Sequence, residues 1–348
     1  MKVSRINPLN DARWDLLLEA HQASSIFHTG AWLEALHRTY GYEPVVYAME
    51  DGDRLVAGIP FSKVKSFITG RRLVSVPFSD HCQPLIDRPE HLVELIAAAA
   101  HDAKRDRLNY IEVRPLISSG SQVEPGMPLV KSDSVVVHKL DIRPSEEQLL
   151  QSFHADCIRR KIAKTERERL GYEEGRSEEL LHKFYALLLP TRRRHGIPPQ
   201  PLKWFRNLVD CFGESVKISV ASKDETPVAS IITLSFKKTI VYKYGCSDPK
   251  YNSVGGPIFL LWRAIQDGRR RGLTELDLGR SDYSTPGLIT FKDRWGACRI
   301  PVNYYRSARH AERGAAESRI YAAGKRLLTS VPDSMFRAVG GLLYRHVG

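Results

Sequence analysis

Residues 276–296, LDLGRSDYSTPGLITFKDRWG, combine side chains capable of chemistry with an unusual backbone pattern. The segment begins as a buried strand, passes through a polar loop with proline and glycine, and then carries Lys292 directly after Phe291. A lysine beside an aromatic ring at the end of a loop can stabilise the negative charge that develops on oxygen during acyl transfer. The ordinary alternative is a surface lysine, but the other polar residues of the segment favour the chemical interpretation.

Polar residues cluster at the end of the strand that opens this segment. In an open α/β sheet, ligands bind beyond the strand ends. We therefore expect substrate contacts at this point of the chain. The residues concerned are Asp277, Arg280, Ser281 and Asp282.

Two tyrosines and an arginine cluster offer further contacts. In YKYGCS, Tyr242 and Tyr244 are predicted to share one strand face, so that one can bind a substrate while the other packs in the core. The segment TRRRHGIPPQP places Arg192, Arg193 and Arg194 at the end of a predicted helix. Arginines there commonly interact with the helix dipole, and the functional alternative is bidentate binding of phosphates.

Two features suit a negatively charged donor. Gly255 and Gly256 form a turn before a predicted helix, where backbone N–H groups can hold a phosphate or carboxylate, although a simple turn is the commoner interpretation. The predicted helix that contains CIRRKIAKTERER is strongly basic. Such a face is usually a solvent-exposed surface without a binding role, and the more specific alternative is contact with a nucleic-acid backbone. Its candidate residues are Arg159, Arg160, Lys161 and Lys164.

The composition is that of a soluble globular protein with a basic surface. The 348 residues carry 52 Lys and Arg against 40 Asp and Glu, a formal charge of +12. This balance suits nucleic acid, a phosphorylated ligand or a membrane surface, and it fits a merely solvated basic surface equally well. The five cysteines are scattered, which argues against a disulfide framework and fits a reducing cytoplasm. The N-terminal residues lack the apolar core of a signal peptide, so we expect a cytoplasmic protein.

No metal site is predicted. Asp80, His81 and Cys82 are adjacent in the sequence, and adjacent residues do not share a side-chain face. The chain also lacks the G-x-S-x-G, H-E-x-x-H and Walker-type patterns that mark several other kinds of catalytic or nucleotide site.

The order of predicted elements indicates two copies of one α/β unit. In each half, helices precede a group of strands, and a further helix leads into another strand. The segments VVYAMEDGDRLVAGIPFS and KISVASKDETPVASIITLSF are both strand, acidic turn and strand. We therefore predict an α/β (α+β) protein with mixed sheets flanked by helices. The predicted domains are residues 1–145, residues 146–310 with the functional segments, and a basic amphipathic tail, 311–348.

Three details of the second half are specific enough to check. Residues 145–171 are predicted to form one helix that ends at Gly171. The next helix is predicted to end at Pro190, because proline removes a backbone donor. Residues 216–247 are predicted to form a meander of three strands.

The tail consists of short apolar and basic segments separated by Pro332. Its apolar residues recur at helical spacing, so that one helix face can lie in the interface of an anionic membrane. The alternative is that this face packs on the second domain. The residues of the face are Ile320, Leu327, Leu328, Phe336, Val339, Leu342 and Leu343.

Several of these segments together resemble the FemAB-type aminoacyl and acyl transferases, which contain two tandem acetyltransferase-like (GNAT-type) domains. The most specific segments are FHTGAWLEAL, RRRHGIPPQPLKWF, YKYGCSDPKYNSVGGPIFLLWRAI and DLGRSDYSTPGLITFKDRWGA. The resemblance covers residues 5–306 and implies that an amine attacks an activated acyl donor. In the peptidoglycan-acting members, the donor is an aminoacyl-tRNA and the acceptor is a cell-wall precursor.

The resemblance also implies roles for individual residues. Phe291 and Lys292 match a Phe-Lys pair beside the reaction centre. Arg194 matches an arginine that binds precursor phosphates, and Tyr244 matches a tyrosine on the meander strand. The helix at 31–38 has no lysine where peptidoglycan-precursor ligases of this type bind phosphate.

One leading hypothesis and two alternatives follow. The leading hypothesis is transfer of an aminoacyl or acyl group, with aminoacyl-tRNA as the favoured donor, to an amine of a phosphorylated cell-envelope precursor. The first alternative is an acyl-CoA-dependent N-acyltransferase that serves exopolysaccharide or lipid assembly. The second is a non-catalytic scaffold that binds tRNA or membrane. No permanently bound cofactor is expected, the oligomeric state is left open, and the location allows peripheral contact with the inner face of the membrane.

Overall fold

The computed structural model describes residues 1–116, 128–307 and 331–348. These residues divide into two compact units. The first unit comprises 1–135, 301–307 and 341–348, and the second comprises 136–300 and 331–340. The border after residue 135 comes earlier in the chain than the one expected after 145. Both units contain strands and helices, so the predicted mixed α/β architecture is confirmed.

The first unit contains a mixed sheet accompanied by helices. Its strands are β1 (Lys2–Ile6), β2 (Glu43–Asp51), β3 (Arg54–Ser66), β4 (Gly70–Ser75) and β5 (Tyr110–Val113), and its helices are α1 (Arg13–Ala20), α2 (Gly30–Tyr40) and α3 (Pro89–Arg105). The strands lie in this order in the sheet. Strands β1 to β4 are antiparallel to their neighbours, whereas β4 and β5 are parallel. Helix α3 supplies the crossover that a parallel pair requires.

Sequence patterns account for the local structure of this unit. The predicted acidic turn joins β2 to β3 at Gly52, whose φ of 58° favours glycine. Helix α3 buries an apolar stripe at helical spacing, and its residues Leu95 and Ala99 belong to one core cluster with Ile59 and Ile111 of the sheet. The sheet and the helix therefore enclose a core of their own.

The second unit repeats this plan. Its strands are β6 (Leu129–Asp141), β7 (Gly171–Gly175), β8 (Val216–Lys223), β9 (Thr226–Phe236), β10 (Thr239–Ser247), β11 (Glu275–Asp282) and β12 (Cys298–Ser307). Its helices are α4 (Glu146–Ser152), α5 (Arg160–Arg167), α6 (Glu178–His195), α7 (Leu202–Phe212), α8 (Gly256–Arg270), α9 (Pro286–Asp293) and α10 (Asp333–Val347). The unit borders fall inside β6, β12 and α10. The predicted meander corresponds to β8, β9 and β10, which are antiparallel, while β10 and β11 are parallel.

Two helix predictions are wrong. Helix α6 continues through Pro190 to His195 and ends at Gly196, because buried residues on both sides of the proline outweigh one lost backbone hydrogen bond. The single helix predicted over 145–171 is interrupted at Phe153, which is extended. The Phe153 ring packs edge-on against Trp262 and Trp295, and this burial turns the chain out of the helix.

Three strands were not predicted, namely β1, β7 and β12. The first two contain only five residues each and are largely polar. They are the outermost of the described strands in the sheet order, so one side of each has no neighbouring strand within the described ranges. Short polar edge strands give little alternation of apolar residues for a sequence pattern to detect.

The described part of the predicted tail is helix α10, and its apolar face is partly used for packing. Phe336 is fully buried, and the Arg193 guanidinium lies 4.6 Å from the centre of its ring. Arg193 also donates to Asp333 Oδ1 at 2.6 Å. This contact corresponds to the packing alternative. Ile320, Leu327 and Leu328 lie outside the described residues. Among the helices that the structure describes, none is long and apolar enough to cross a bilayer.

Candidate functional site

The candidate site lies where β10 and β11 separate. Their paired residues are 239–241 and 275–277, whereas β10 continues to Ser247 and β11 to Asp282. Strand β10 also changes register against β9 between Tyr242 and Tyr244. A bulge of this kind bends a strand and interrupts its pairing. Beyond the paired residues, the two strand edges therefore present backbone groups to other partners.

Lys292 lies in a helix, α9, and not at the end of a loop as predicted. The Asp282 carbonyl accepts hydrogen bonds from the backbone N–H and the hydroxyl of Thr285, at 2.8 and 2.7 Å. This tight turn leads directly into Pro286 at the start of the helix. Proline is favoured at the first helical position, where its missing N–H costs nothing. The Pro-Gly pair that predicted a loop therefore begins a helix.

The Lys292 ammonium is buried at the end of β11. The residue is 2% exposed, and Nζ donates to the carbonyl oxygens of Gly279 and Arg280 at 2.8 Å each. Gly279 has a φ of 71°, and its N–H donates to Asp277 Oδ1 at 2.7 Å. This left-handed glycine turns the strand end so that both carbonyls face the lysine. A fixed positive charge in such a poorly solvated place acts strongly on nearby developing charge.

Asp293, the next residue, links His138 and Arg299. Its Oδ1 is 3.2 Å from His138 Nε2, and Arg299 donates to the two carboxylate oxygens at 2.7 and 2.5 Å. Burial, followed by the charge of Lys292, lowers the pKa of His138 and favours the neutral ring. The hydrogen bond from Arg299 is the main reason that the pKa of Asp293 is lowered. His138, Asp293 and Arg299 were not predicted to act together. The one signal for them in the sequence is a histidine inside the apolar strand VVVHKL.

Phe291 is a packing residue in this structure. Its ring lies edge-on to Trp295, with 6.5 Å between ring centres, and Trp295 in turn lies 5.1 Å from Phe153. Phe291 and Trp295 therefore fasten α9 to the core of the second unit, and they hold Lys292 in position through the helix.

Tyr242 and Tyr244 face opposite sides of the sheet, contrary to the prediction. Tyr242 packs with residues of α8, whereas the Tyr244 ring lies 5.1 Å from that of Phe205 in α7. The bulge between the two tyrosines breaks the period of two. The Tyr244 hydroxyl accepts a hydrogen bond from Trp204 Nε1 at 2.8 Å and lies 3.2 Å from Gln200 Nε2. Its hydroxyl is therefore engaged by the residues that position α7.

Two of the predicted donor-binding residues, Gly255 and Lys161, lie next to each other between α8 and α5. Gly255 precedes α8 with a φ of 83°, and a Cβ there would meet Thr165 at 3.2 Å and Lys161 at 3.9 Å. At Gly256, a Cβ would lie 2.7 Å from that of Ala229, so glycine allows α8 to pack closely on β9. The two glycines thus have a packing role, and they also bring the start of α8 next to the basic helix α5.

The surface of α5 is positively charged. Arg160 and Lys161 of α5, together with Arg159 just before it, are exposed, and Arg160 forms an ion pair with Asp156 at 2.8 Å. Lys164 lines an open cleft of about 450 Å³. The other residues of this cleft are Arg167, Glu168, Arg169 and Lys223. Four cations against one carboxylate make the cleft suitable for phosphate groups.

The predicted acceptor-binding residues are divided between two elements. Arg280 and Asp282 are exposed at the end of β11, while Asp277 and Ser281 are buried there. Arg194 is exposed at the end of α6 and forms no hydrogen bond or ion pair with another residue of the described chain. Within the described ranges, no group of three or more His, Cys, Asp or Glu is arranged to hold a metal ion.

Comparison with known families places the site in a recognised domain. Residues 153–295 match the family described as an acetyltransferase (GNAT) domain. The matched segment contains β10, β11, α8 and α9, the elements of the candidate site. No curated protein sequence matches the chain.

Most of the chain is similar in fold to several solved structures. FemX superposes with a TM-score of 0.70 at 14% identity, over 87% of this chain and 97% of that chain. A tandem GNAT protein from the clavulanic acid biosynthesis pathway gives 0.57 at 12% identity, over 88% and 97%. The C-terminal domain of a putative lysylphosphatidylglycerol synthetase from Agrobacterium fabrum gives 0.54 at 13% identity, over 91% and 96%. Residues 153–295 thus match a GNAT-type acetyltransferase domain, and most of the chain shares its fold with FemX and with a tandem GNAT protein.

Proposed function

We propose that the protein transfers an aminoacyl group from an aminoacyl-tRNA to an amine of a phosphorylated cell-envelope precursor. One observation carries this proposal: the buried Lys292 ammonium is fixed at the point where β10 and β11 separate. The proposal is that the carbonyl group of the donor is held between the diverging strands, close to this positive charge.

The proposed reaction needs this charge at one step. The acceptor amine attacks the carbonyl carbon of the aminoacyl ester, a C–N bond forms, and the carbonyl oxygen becomes negative. When this intermediate collapses, the bond to the ribose oxygen breaks and that oxygen takes up a proton. The amine gives its proton to water or to the leaving oxygen, since His138 is fully buried and its Nε2 faces Asp293. Lys292 stabilises the oxyanion electrostatically, without becoming bonded to it.

The choice of an anionic acceptor rests on the two exposed arginines. Arg194 and Arg280 supply guanidinium groups, which bind phosphate oxygens through paired hydrogen bonds. One similar structure is named a putative lysylphosphatidylglycerol synthetase. The product in that name is a phospholipid that carries an aminoacyl group. Both the donor and the acceptor are thus proposed to be recognised through phosphate groups, and no permanently bound cofactor takes part.

An acyl-CoA donor is the second candidate, and the match to the GNAT acetyltransferase family favours it. Against it, the start of α8 offers few backbone donors. Pro257 has no N–H, and the N–H of Ile258 donates to the Gly255 carbonyl at 3.0 Å. The adjacent basic surface of α5 is better suited to the repeated phosphates of a tRNA. Because aminoacyl-tRNA is a cytoplasmic compound, we propose that the reaction takes place in the cytoplasm.

Parallel transfer assays test both candidates. Purified protein is incubated with nucleotide-linked and lipid-linked envelope precursors that carry an amine, together with either a radiolabelled aminoacyl-tRNA pool or a radiolabelled acetyl-CoA. We expect label to pass to a precursor from the tRNA pool. Transfer from acetyl-CoA alone would replace the leading donor with the second candidate, and transfer from neither would reject the proposed acceptor class.

A further inference from the structure

The hairpin between β3 and β4 ends in two apolar residues that face water. Phe67 is 89% exposed and Ile68 is 54% exposed. Turn positions of this kind usually carry glycine, proline, asparagine, aspartate or serine. Two large apolar side chains at a hairpin tip are therefore an unusual feature of the first unit.

The tip is held in place by hydrogen bonds. Ser66 Oγ accepts the N–H groups of Ile68 and Thr69 at 3.1 and 2.9 Å. Thr69 donates its hydroxyl hydrogen to the His346 carbonyl at 2.5 Å, and the Phe67 ring packs edge-on against the His346 ring, with 4.4 Å between centres. These contacts, all within the first unit, fix the position from which Phe67 projects.

The neighbouring residues of α10 extend the apolar area. Leu342 lies one helical turn before His346 and is 68% exposed, and Val347 is also exposed. We call Phe67, Ile68, Leu342 and Val347 the tip surface. It shares only Leu342 with the apolar face that was predicted for the tail, and Phe336 of that face is buried.

Positive charge surrounds the tip surface. Lys65 and Arg71 stand directly opposite each other on the hairpin, an arrangement in which like charges repel. Lys65 is paired with Glu43 at 2.5 Å, whereas the exposed Arg71 side chain has no ion pair with another described residue. Arg345 is a third exposed cation, on α10. An anionic partner would relieve the repulsion between these groups.

We propose that the tip surface docks on an anionic membrane. Phe67 and Ile68 enter the interfacial layer, where aromatic and aliphatic side chains are stable, and the three cations contact lipid headgroups. A second copy of this chain is a poorer occupant, since a symmetric contact would bring the same cations together. The proposal is independent of the acyl-transfer reaction and applies to the full chain without substrate.

Vesicle flotation with matched variants tests the proposal. Full-length protein is mixed with vesicles of phosphatidylcholine alone or with phosphatidylglycerol added, at low and high salt. We expect binding to the anionic vesicles that weakens in high salt. The double variant Phe67→Ser and Ile68→Ser should bind about tenfold more weakly, whereas Leu16→Ser, at another exposed leucine, should bind normally. Arg71→Glu should weaken binding about tenfold, and Arg54→Glu, at the other end of β3, should have much less effect.

A fluorescent variant reports insertion directly. The five native tryptophans are all buried, so Phe67→Trp adds an exposed one whose emission should shift to the blue with anionic vesicles, and Leu16→Trp should show no shift. Absence of wild-type binding at low salt would overturn the proposal, as would equal binding by the tip and control variants. If the tip variants change only the oligomeric state, the surface binds a second copy and the membrane proposal is likewise overturned.

Discussion

The Lys292 ammonium acts on its surroundings in two ways that two measurements on one variant can separate. Its hydrogen bonds to the Gly279 and Arg280 carbonyls hold the end of β11, and its charge lies beside the proposed reaction centre. A variant that keeps the volume of the side chain and removes the ammonium group therefore tests catalysis more cleanly than a truncation, which would also leave a cavity.

We predict that Lys292→Met lowers the rate of transfer about 100- to 1000-fold, the usual effect of losing one group that stabilises an oxyanion. Because two buried carbonyls lose a charged donor, the free energy of unfolding should also fall by about 1–3 kcal/mol. Transfer kinetics and thermal melts measure the two effects. Lys203→Met, at an exposed lysine of α7, is the control. Normal transfer by folded Lys292→Met protein would remove Lys292 from the mechanism.

Arg194 is predicted to affect binding and not the chemical step. The side chain is exposed and makes no ion pair in the described chain, so Arg194→Ala should leave the melting temperature unchanged. If Arg194 binds a phosphate away from the reacting amine, the variant should raise KM for the acceptor with little change in kcat. Steady-state kinetics at varied acceptor concentration distinguish a role in binding from a role in the chemical step. A lower kcat at unchanged KM would place Arg194 at the reacting groups.

At the scale of elements, helix α5 and the start of α8 form the proposed donor surface. Lys161 lies beside Gly255. Arg159, which comes just before α5 in the chain, is exposed. A tRNA bound here would release counterions as its phosphates are neutralised, so its affinity should fall steeply with salt. A CoA molecule, with far fewer phosphates, should show a weaker dependence.

We predict that Arg159→Glu combined with Lys161→Glu weakens tRNA binding and lowers the slope of log K against log salt by about 0.7–0.9 for each phosphate that the protein no longer neutralises. Filter binding with bulk tRNA at several salt concentrations gives this slope. The control is Arg54→Glu combined with Lys203→Glu, which changes the net charge equally at two exposed positions elsewhere. Equal losses of affinity in both double variants would mean that only the overall charge of the protein attracts tRNA.

At the scale of the whole molecule, the sequence predicted two similar α/β units, because the strands and helices of such units give strong periodic patterns. The meander β8–β10, helix α8 and strand β11 each show a regular apolar spacing that survives in the structure. The details of the site were less predictable. The Pro-Gly pair at 286–287 is compatible with a loop or a helix start, and the bulge near Tyr244 has no clear sequence signature. His138 and Asp293 are 155 residues apart, so no local pattern connects them.

The two units differ at the ends of their parallel strand pairs, and this difference indicates which unit carries the proposed activity. In the first unit, β4 and β5 form the parallel pair. The chain that follows β4 occupies the space beside this pair. The Cys82 N–H donates to the Arg114 carbonyl at 2.6 Å, and Leu85 forms a bridge with Gly58. In the second unit, β10 and β11 separate beside Lys292. Substitutions at the end of β5 should therefore change stability, and those at the end of β11 should change activity.

Glu112 at the end of β5 allows a direct test. Its carboxylate accepts hydrogen bonds from Arg114 and Arg306, each at 2.7 Å. Burial alone would raise the pKa of Glu112, but the two guanidiniums outweigh it and hold the pKa at about 2, below the ordinary 4.5. A carboxyl with a lowered pKa stabilises the folded state above its unfolded pKa, and this contribution disappears as the pH falls through the folded value. We predict that Glu112→Gln lowers the free energy of unfolding at pH 7 by roughly 2–4 kcal/mol.

The difference between wild type and Glu112→Gln should then shrink as the pH falls from about 5 to about 2, because the wild-type carboxylate becomes protonated over that range. Denaturant melts at several pH values measure the difference. Glu43→Gln is the matched control, since Glu43 pairs with Lys65 at an exposed position and a surface pair of this kind contributes at most about 1 kcal/mol. Transfer activity per folded molecule of Glu112→Gln should remain normal at pH 7. A large loss of activity in protein that is still folded would show that the first unit takes part in the reaction, contrary to the asymmetry inferred from the two strand pairs.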